Sequence, residues 1–101
     1  MKNIVNHIFK LIKAAYHYKR NIRKNLKQDK NSPIYHLAKL YDTHFREMEE
    51  GDVSLENIRD LENQIVTHRS EYQGSEAIQQ MLTTILLFLE ELKPFVKYKM
   101  A

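Results

Sequence analysis

Histidine is the residue type in this chain best suited to hold a metal ion or to move a proton near neutral pH, and the sequence contains five. His36 and His44 stand eight residues apart in one helical segment, too far for two ligands on adjacent turns. His44 and His68 occupy inward positions, where a lone histidine usually makes a structural hydrogen bond, because site chemistry needs convergent partners. The histidines therefore predict neither a metal site nor a catalytic site.

Other catalytic patterns are absent from the sequence as well. The chain has no Cys, which removes thiol nucleophiles, disulfides and Cys-zinc sites, and it has no Gly-rich phosphate loop. It also lacks the N-terminal Arg-x-x-Ile-Asp pattern of the small helical chorismate mutases. We therefore predict a protein that is not an enzyme and that takes no cofactor and no small-molecule substrate.

Charge is the strongest chemical signal in this chain. Residues 1–28 carry eight Lys or Arg and no acid, whereas residues 29–101 carry the other eight bases and all thirteen acids. The formal charge of +3 is thus the sum of a basic segment and an acidic remainder. Such a segment predicts an anionic neighbour, which the sequence leaves open among the protein's own acids, a membrane surface and a nucleic acid.

Helical periodicity and short joints position these charges. With two Gly and two Pro in 101 residues, the composition favours long helices over sheets with many tight turns. The predicted N-caps are Ser32, Ser54 and Ser75, and the predicted stops are Gly51, Gly74 and Pro94. These signals predict helices over about 4–28, 33–50, 55–73 and 76–93, with a tail over 94–101. Because the joints are short, we predict a single all-α domain, an antiparallel up-down-up-down four-helix bundle.

The sequence also bears on location. The longest uncharged apolar stretch, residues 77–89, is shorter than the roughly 20 residues that a helix needs to span a bilayer. Lys10 and Lys13 interrupt the only segment that resembles the apolar part of a secretion signal. The expected location is therefore the cytoplasm.

The first helical segment carries two apolar stripes. The inward stripe is Ile4, Ile8, Leu11, Ala15, Tyr18, Ile22 and Leu26, and beside it lie Val5, Phe9, Ile12 and Tyr16. Beyond Tyr16, bases take over the second stripe, so we predict that the C-terminal half of this helix stands partly clear of the core. The candidate partner-recognition residues of this half are Lys19, Arg20, Arg23, Lys24 and Lys27. The alternative is a solvated surface with local salt bridges.

The segment after Pro94 is a second candidate surface. Its candidate residues are Phe95, Lys97, Tyr98, Lys99 and Met100. Aromatic side chains beside lysines suit a membrane interface or an apolar groove on a partner. The alternative is that Phe95 and Val96 complete the core and the remaining residues fray.

A nucleic acid is a less favoured partner. The second and third helical segments resemble a helix-turn-helix, but the would-be recognition helix holds Glu56, Asp60 and Glu62 against Arg59 and Arg69. A net-acidic helix opposes the phosphate attraction that supplies most of the affinity for DNA. The basic first segment could still bind phosphates, so the alternative function is a small basic nucleic-acid-binding or regulatory helical protein.

The layout of the whole chain resembles the small immunity proteins of bacteriocin producers, of the pediocin-like and streptococcal type. The matching residues are the Ser32-Pro33 joint, the joint from Gly51 to Ser54, the Gly74-Ser75 joint, the basic first helix and the segment from Phe95 to Met100. Members of that family are cysteine-free, mostly basic cytosolic chains of about this length. They fold as antiparallel four-helix bundles with a C-terminal part that matters for recognition.

This resemblance implies a function in antimicrobial-peptide resistance. The protein would protect the producing cell from its own bacteriocin by non-enzymatic docking against a bacteriocin-bound membrane permease. It would be cytoplasmic and peripheral to the inner face of the membrane, with its basic end or its C-terminal segment touching the permease or anionic lipid. No residue of the chain identifies the cognate toxin.

Overall fold

The computed structural model describes the backbone of residues 2–51 and 53–100 and the side chains of residues 5–51 and 53–96. These residues form four α-helices and no β-strand, so the predicted all-α four-helix bundle is confirmed. The helices are α1 (Lys2–Asn25), α2 (Pro33–Glu49), α3 (Leu55–Glu71) and α4 (Glu76–Met100). The bundle is elongated, with principal extents of 45 × 24 × 23 Å.

The three predicted serine caps begin α2, α3 and α4. The hydroxyl oxygen of Ser32 accepts the N–H of Tyr35 at 3.4 Å, and that of Ser54 accepts the N–H of Asn57 at 3.0 Å. Ser75 accepts the N–H of Ile78 at 3.3 Å. Each such cap satisfies a backbone donor that the helix leaves unpaired, and it typically contributes about 1 kcal/mol.

Helix ends differ from the sequence prediction in three places. α1 ends at Asn25 and α3 ends at Glu71, two to three residues before the predicted ends. α4 passes through Pro94 and continues to Met100, where the sequence predicted an end at residue 93 and a separate tail. Proline removes one helical hydrogen bond. Burial of Val96 in the core offsets that loss and keeps the chain helical.

α4 is the central helix of the core. It packs most extensively against α1 and α3 and also contacts α2, as expected of the most apolar helix. The buried apolar residues are Tyr18 and Ile22 of α1, Leu37, Ala38, Tyr41 and Phe45 of α2, Ile58, Leu61 and Ile65 of α3, and Ile78, Met81, Leu82, Ile85, Phe88, Leu89 and Val96 of α4. One contiguous core therefore joins all four helices.

α2 and α3 are held together by side chains rather than by close backbone packing. No Cα of α2 lies within 8 Å of a Cα of α3 in the part of these helices that the structure describes. The hydroxyl of Tyr41 instead hydrogen-bonds Nδ1 of His68 at 2.6 Å across the gap. The hydroxyl of Tyr18 donates to the carbonyl of Tyr41 at 2.7 Å. This chain of hydrogen bonds ties α1, α2 and α3 together, and it gives His68 the structural role that the sequence predicted.

A lysine links α4 to α3 on the surface. The ammonium of Lys93 lies 2.7 Å from a carboxylate oxygen of Glu62 on α3 and 3.1 Å from one of Glu90 on its own helix. Hydrogen bonds to Glu62 and then to Glu90 raise the pKa of Lys93. The contact fixes the side of α4 that faces α3 immediately before Pro94.

Candidate functional site

The most unusual surface of the bundle is an uncovered row of large apolar side chains on α1. This apolar stripe consists of Val5, Ile8, Phe9, Ile12 and Tyr16. Phe9 is 65 % exposed and Ile12 is 59 % exposed, although their spacing places the whole row on one side of the helix. Single exposed apolar residues need no explanation, but a continuous row of this kind marks an interaction surface.

The lengths of the helices leave the stripe bare. α1 and α4 contain 24 and 25 residues, whereas α2 and α3 contain 17 each. The difference leaves about 10 Å of α1 and α4 without a neighbour on that side. Glu49, the last residue of α2, pairs with Lys19 at 3.7 Å, only six residues before the end of α1. The amino-terminal half of α1 therefore projects past α2.

The C-terminal half of α1 stands only partly clear of the core, as predicted, because its bases are exposed while its inward row is buried. Tyr18 and Ile22 are fully enclosed, and Asn25 is buried with its amide donating to Asn21 at 2.8 Å. In the amino-terminal half, Ile8, assigned to the inward stripe, is 41 % exposed. The side chain of Ile4 lies outside the described residues.

Exposed bases run along α1 next to the apolar stripe. All of them point to solvent, and none takes part in an ion pair with another side chain that the structure describes. This basic face consists of Lys10, Lys13, Arg20, Arg23 and Lys24 of α1 and Lys27 in the turn that follows it. Four of the candidates from the sequence, Arg20, Arg23, Lys24 and Lys27, belong to this face.

The basic face forms one wall of an open groove between α1 and α4. The groove encloses about 1190 Å³, and α4 contributes Thr84, Leu87 and Glu91 to its other wall. Among the residues that line it, Glu91 alone is acidic. The groove is therefore positively charged and favours an extended anionic partner.

Lys19, the remaining base proposed for this half, is exposed and contacts the end of α2. Its ammonium pairs with Glu49 and lies 5.8 Å from the centre of the Phe45 ring. Both contacts join α1 to α2. Lys19 therefore contributes to helix packing as well as to the charge of the surface, which sequence spacing alone did not reveal.

The candidates at the end of α4 lie away from the C-terminal bases of the basic face and level with its amino-terminal bases, Lys10 and Lys13. The rings of Tyr18 and Phe88 are 5.3 Å apart between antiparallel helices, which puts Phe95 about 20 Å along the bundle from Lys24 at 1.5 Å per residue. Phe95 is partly buried, and Val96 is buried in the core. The side chains of Lys97, Tyr98, Lys99 and Met100 lie outside the described residues, although their backbone belongs to α4.

A smaller apolar groove opens directly beside the stripe. It encloses about 440 Å³ where α1, the end of α2 and α4 meet. Ile12 and Tyr16 of the stripe line it together with Met48, Val53 and Leu92. The uncovered apolar surface therefore extends from α1 onto its neighbours.

The structure offers little support for metal chemistry in the region it describes. No group of three or more His, Asp or Glu side chains is placed to hold an ion there. His44 lies 3.8 Å from Glu47, one turn along α2, and His68 is bonded to Tyr41. No described helix has an apolar stretch long enough to cross a bilayer.

The sequence predicts the apolar stripe but not its exposure to solvent. The sequence predicts Val5, Phe9, Ile12 and Tyr16 as a second row beside the core row, on a first helix that is longer than the others. Together these two signals indicate that the shorter α2 and α3 cannot cover both rows.

Comparison with the profiles of known protein families, with curated proteins and with solved structures gives no match.

Proposed function

We propose that this chain is an immunity protein that protects a bacteriocin-producing cell by docking, without enzymatic chemistry, at the inner face of the membrane. Its partner is the membrane permease that the bacteriocin has bound. The observation that carries the proposal is the surface of α1, where unpaired bases run beside an uncovered apolar stripe. The sequence layout, which resembles pediocin-like and streptococcal immunity proteins, supplies the biological setting.

The bundle supplies the rigidity that docking needs. α1 is held through Tyr18 and Ile22, which are buried against α2 and α4, so its outer face keeps a fixed shape. Bases that are already unpaired lose no internal ion pair when they meet an anionic partner, and they attract it from a distance. This arrangement suits a cytoplasmic protein that recognises its partner at the surface of the membrane.

Survival of a bacteriocin-sensitive strain that expresses the chain tests the proposal. We expect protection against one or two members of a panel of pediocin-like and streptococcal toxins, while cells with an empty vector die. Replacing Arg20, Arg23, Lys24 and Lys27 with glutamate should abolish that protection, because the change converts an attractive surface into a repulsive one. The minimal inhibitory concentration of each toxin is the readout.

A second reversal of equal charge serves as the control. Replacing Lys30, Lys39, Arg59 and Arg69, which are exposed outside α1, with glutamate should leave protection intact. Deleting residues 97–101 keeps Val96 in the core and tests the end of α4 separately. Equal loss of protection in both reversal variants would show that net charge, and not the face of α1, matters. Failure of the folded wild-type chain to protect against any toxin would contradict the proposed function.

The basic groove favours one other candidate, a phosphate-binding protein that associates with nucleic acid. If four bases of α1 each neutralise one phosphate, the logarithm of the binding constant for duplex DNA should fall with the logarithm of salt concentration at a slope of about −4. Fluorescence anisotropy of a labelled duplex between 50 and 300 mM salt measures this slope. The same two reversal variants separate α1 from general charge, and the absence of binding at low salt would remove this candidate.

A further inference from the structure

We infer that the amino-terminal half of α1 lies along the surface of an anionic lipid bilayer, with the apolar stripe in the interface and Lys10 and Lys13 on lipid phosphates. This inference rests on the proposed function, for which it names the docking surface and the lipid class. It differs from the sequence expectation, which assigned partner contact to the C-terminal half of α1 and to the end of α4.

The apolar stripe has the dimensions of an interfacial helix face. From Val5 to Tyr16 it runs through three turns of α1, a length of about 17 Å. Two of its five side chains are aromatic, and Tyr16 carries a hydroxyl that suits the headgroup region. The end of α2 lies beside Ile12 and Tyr16, yet these two side chains and Phe9 remain more than half exposed and open to an approaching surface.

The charges around the stripe select an anionic surface. At 100° per residue, Lys13 and Arg20 follow one edge of the stripe, and Lys10 lies further round on the same side. Residues 1–28 contain no acid that could repel a phosphate. A base near an anionic bilayer contributes about 1 kcal/mol of attraction, so Lys10, Lys13 and Arg20 together discriminate strongly between anionic and zwitterionic lipid.

The same charges argue against a second copy of the chain as the occupant. Two stripes packed against each other would bring two α1 helices together, and each carries Lys or Arg with no Asp or Glu to pair with them. Such like charges at contact distance oppose association. An anionic surface removes this repulsion, and a second copy adds to it.

Co-sedimentation of the full chain with vesicles tests the inference. We expect binding to vesicles of phosphatidylglycerol and phosphatidylcholine, and at least tenfold weaker binding to pure phosphatidylcholine. The double variant Phe9→Ser/Ile12→Ser should bind the anionic vesicles roughly tenfold to hundredfold more weakly, because it removes the apolar contribution. The control Leu40→Ser/Val66→Ser changes two exposed apolar residues on α2 and α3 and should bind like wild type.

The other possible results either overturn the inference or assign the stripe to a different partner. Equal binding of wild type and Phe9→Ser/Ile12→Ser, both with wild-type thermal melting curves, would overturn the inference. A dimer in sedimentation equilibrium that this variant dissociates would assign the stripe to a second copy. Lost protection in the survival assay without any vesicle binding would assign it to a protein partner. If vesicle binding follows the expectation but no toxin is resisted, the immunity function fails and the lipid surface stands.

Discussion

Replacing Leu89 with alanine is expected to lower the free energy of unfolding by about 2–5 kcal/mol. Leu89 is 0 % exposed at the centre of α4 and belongs to the core that joins all four helices. Removing three carbon atoms there loses the free energy of their burial and leaves a cavity that a packed interior closes only in part. Urea denaturation followed by circular dichroism measures the change.

Leu87 provides a matched control two residues away in the same helix. It is 60 % exposed, so its replacement by alanine should change stability by no more than about 0.5 kcal/mol. Comparable losses at the two positions would mean that α4 is rotated from its described orientation. Since Leu87 and Glu91 form the α4 wall of the basic groove, that result would also remove the groove.

Most of the fold follows from local sequence signals. Ser32, Ser54 and Ser75 cap helices because a side-chain oxygen can reach a backbone N–H within one turn, a contact that needs no distant partner. Gly51 lies two residues after the end of α2 and has a φ of +100°, a conformation that glycine adopts readily. Signals of this kind depend only on neighbouring residues, so they can be read without the structure.

The features that sequence reasoning missed depend on distant parts of the chain. Periodicity places Phe9 and Ile12 on one face of α1, but whether that face is covered depends on where α2 ends. The path of α4 through Pro94 depends likewise on the core that receives Val96. A proline can remain inside a helix when the free energy of burial in the core outweighs the loss of one hydrogen bond.

The candidate site likewise contains residues whose exposure follows from local spacing and contacts that depend on distant parts of the chain. Exposure of Arg20, Arg23 and Lys24 follows from their position opposite the core row, and the structure places them as expected. The pairing of Lys19 with Glu49 joins residues thirty positions apart and could not be read from spacing. What the structure adds is the exposure of the apolar stripe on α1, which local spacing alone did not predict.

Raising the pH above 10 is expected to destabilise the bundle through two buried tyrosines. Burial raises the pKa of Tyr18, with the neighbouring Tyr41 and Asp42 contributing, and burial raises the pKa of Tyr41. Their hydroxyls also hydrogen-bond the carbonyl of Tyr41 and the ring of His68, so the folded state holds both in the neutral form.

The sign of the effect follows from linkage. In the unfolded chain both tyrosines ionise near pH 10, while in the folded chain they retain their protons to higher pH. The stabilisation is therefore complete below pH 10 and is lost progressively as the pH rises towards the folded pKa values. Each tyrosine should lower the free energy of unfolding by about 1.4 kcal/mol per pH unit in that range, so the pair removes roughly 5 kcal/mol between pH 10 and pH 12. A loss of that size is comparable to the whole stability of a small domain.

Urea titrations at intervals between pH 8 and pH 12 measure this dependence, and a phenylalanine variant isolates its cause. Tyr41→Phe should lower stability at pH 8, because His68 loses a partner, and should halve the slope above pH 10. All other titratable groups are the same in both proteins, so the difference between the two slopes reports the tyrosine alone. Tyr16→Phe, at an exposed position on α1, is the control for the loss of a tyrosine hydroxyl that the bundle does not bury. An identical slope in wild type and Tyr41→Phe would mean that the Tyr41 hydroxyl is accessible to water in the folded protein, and the side-chain link between α2 and α3 would then be open.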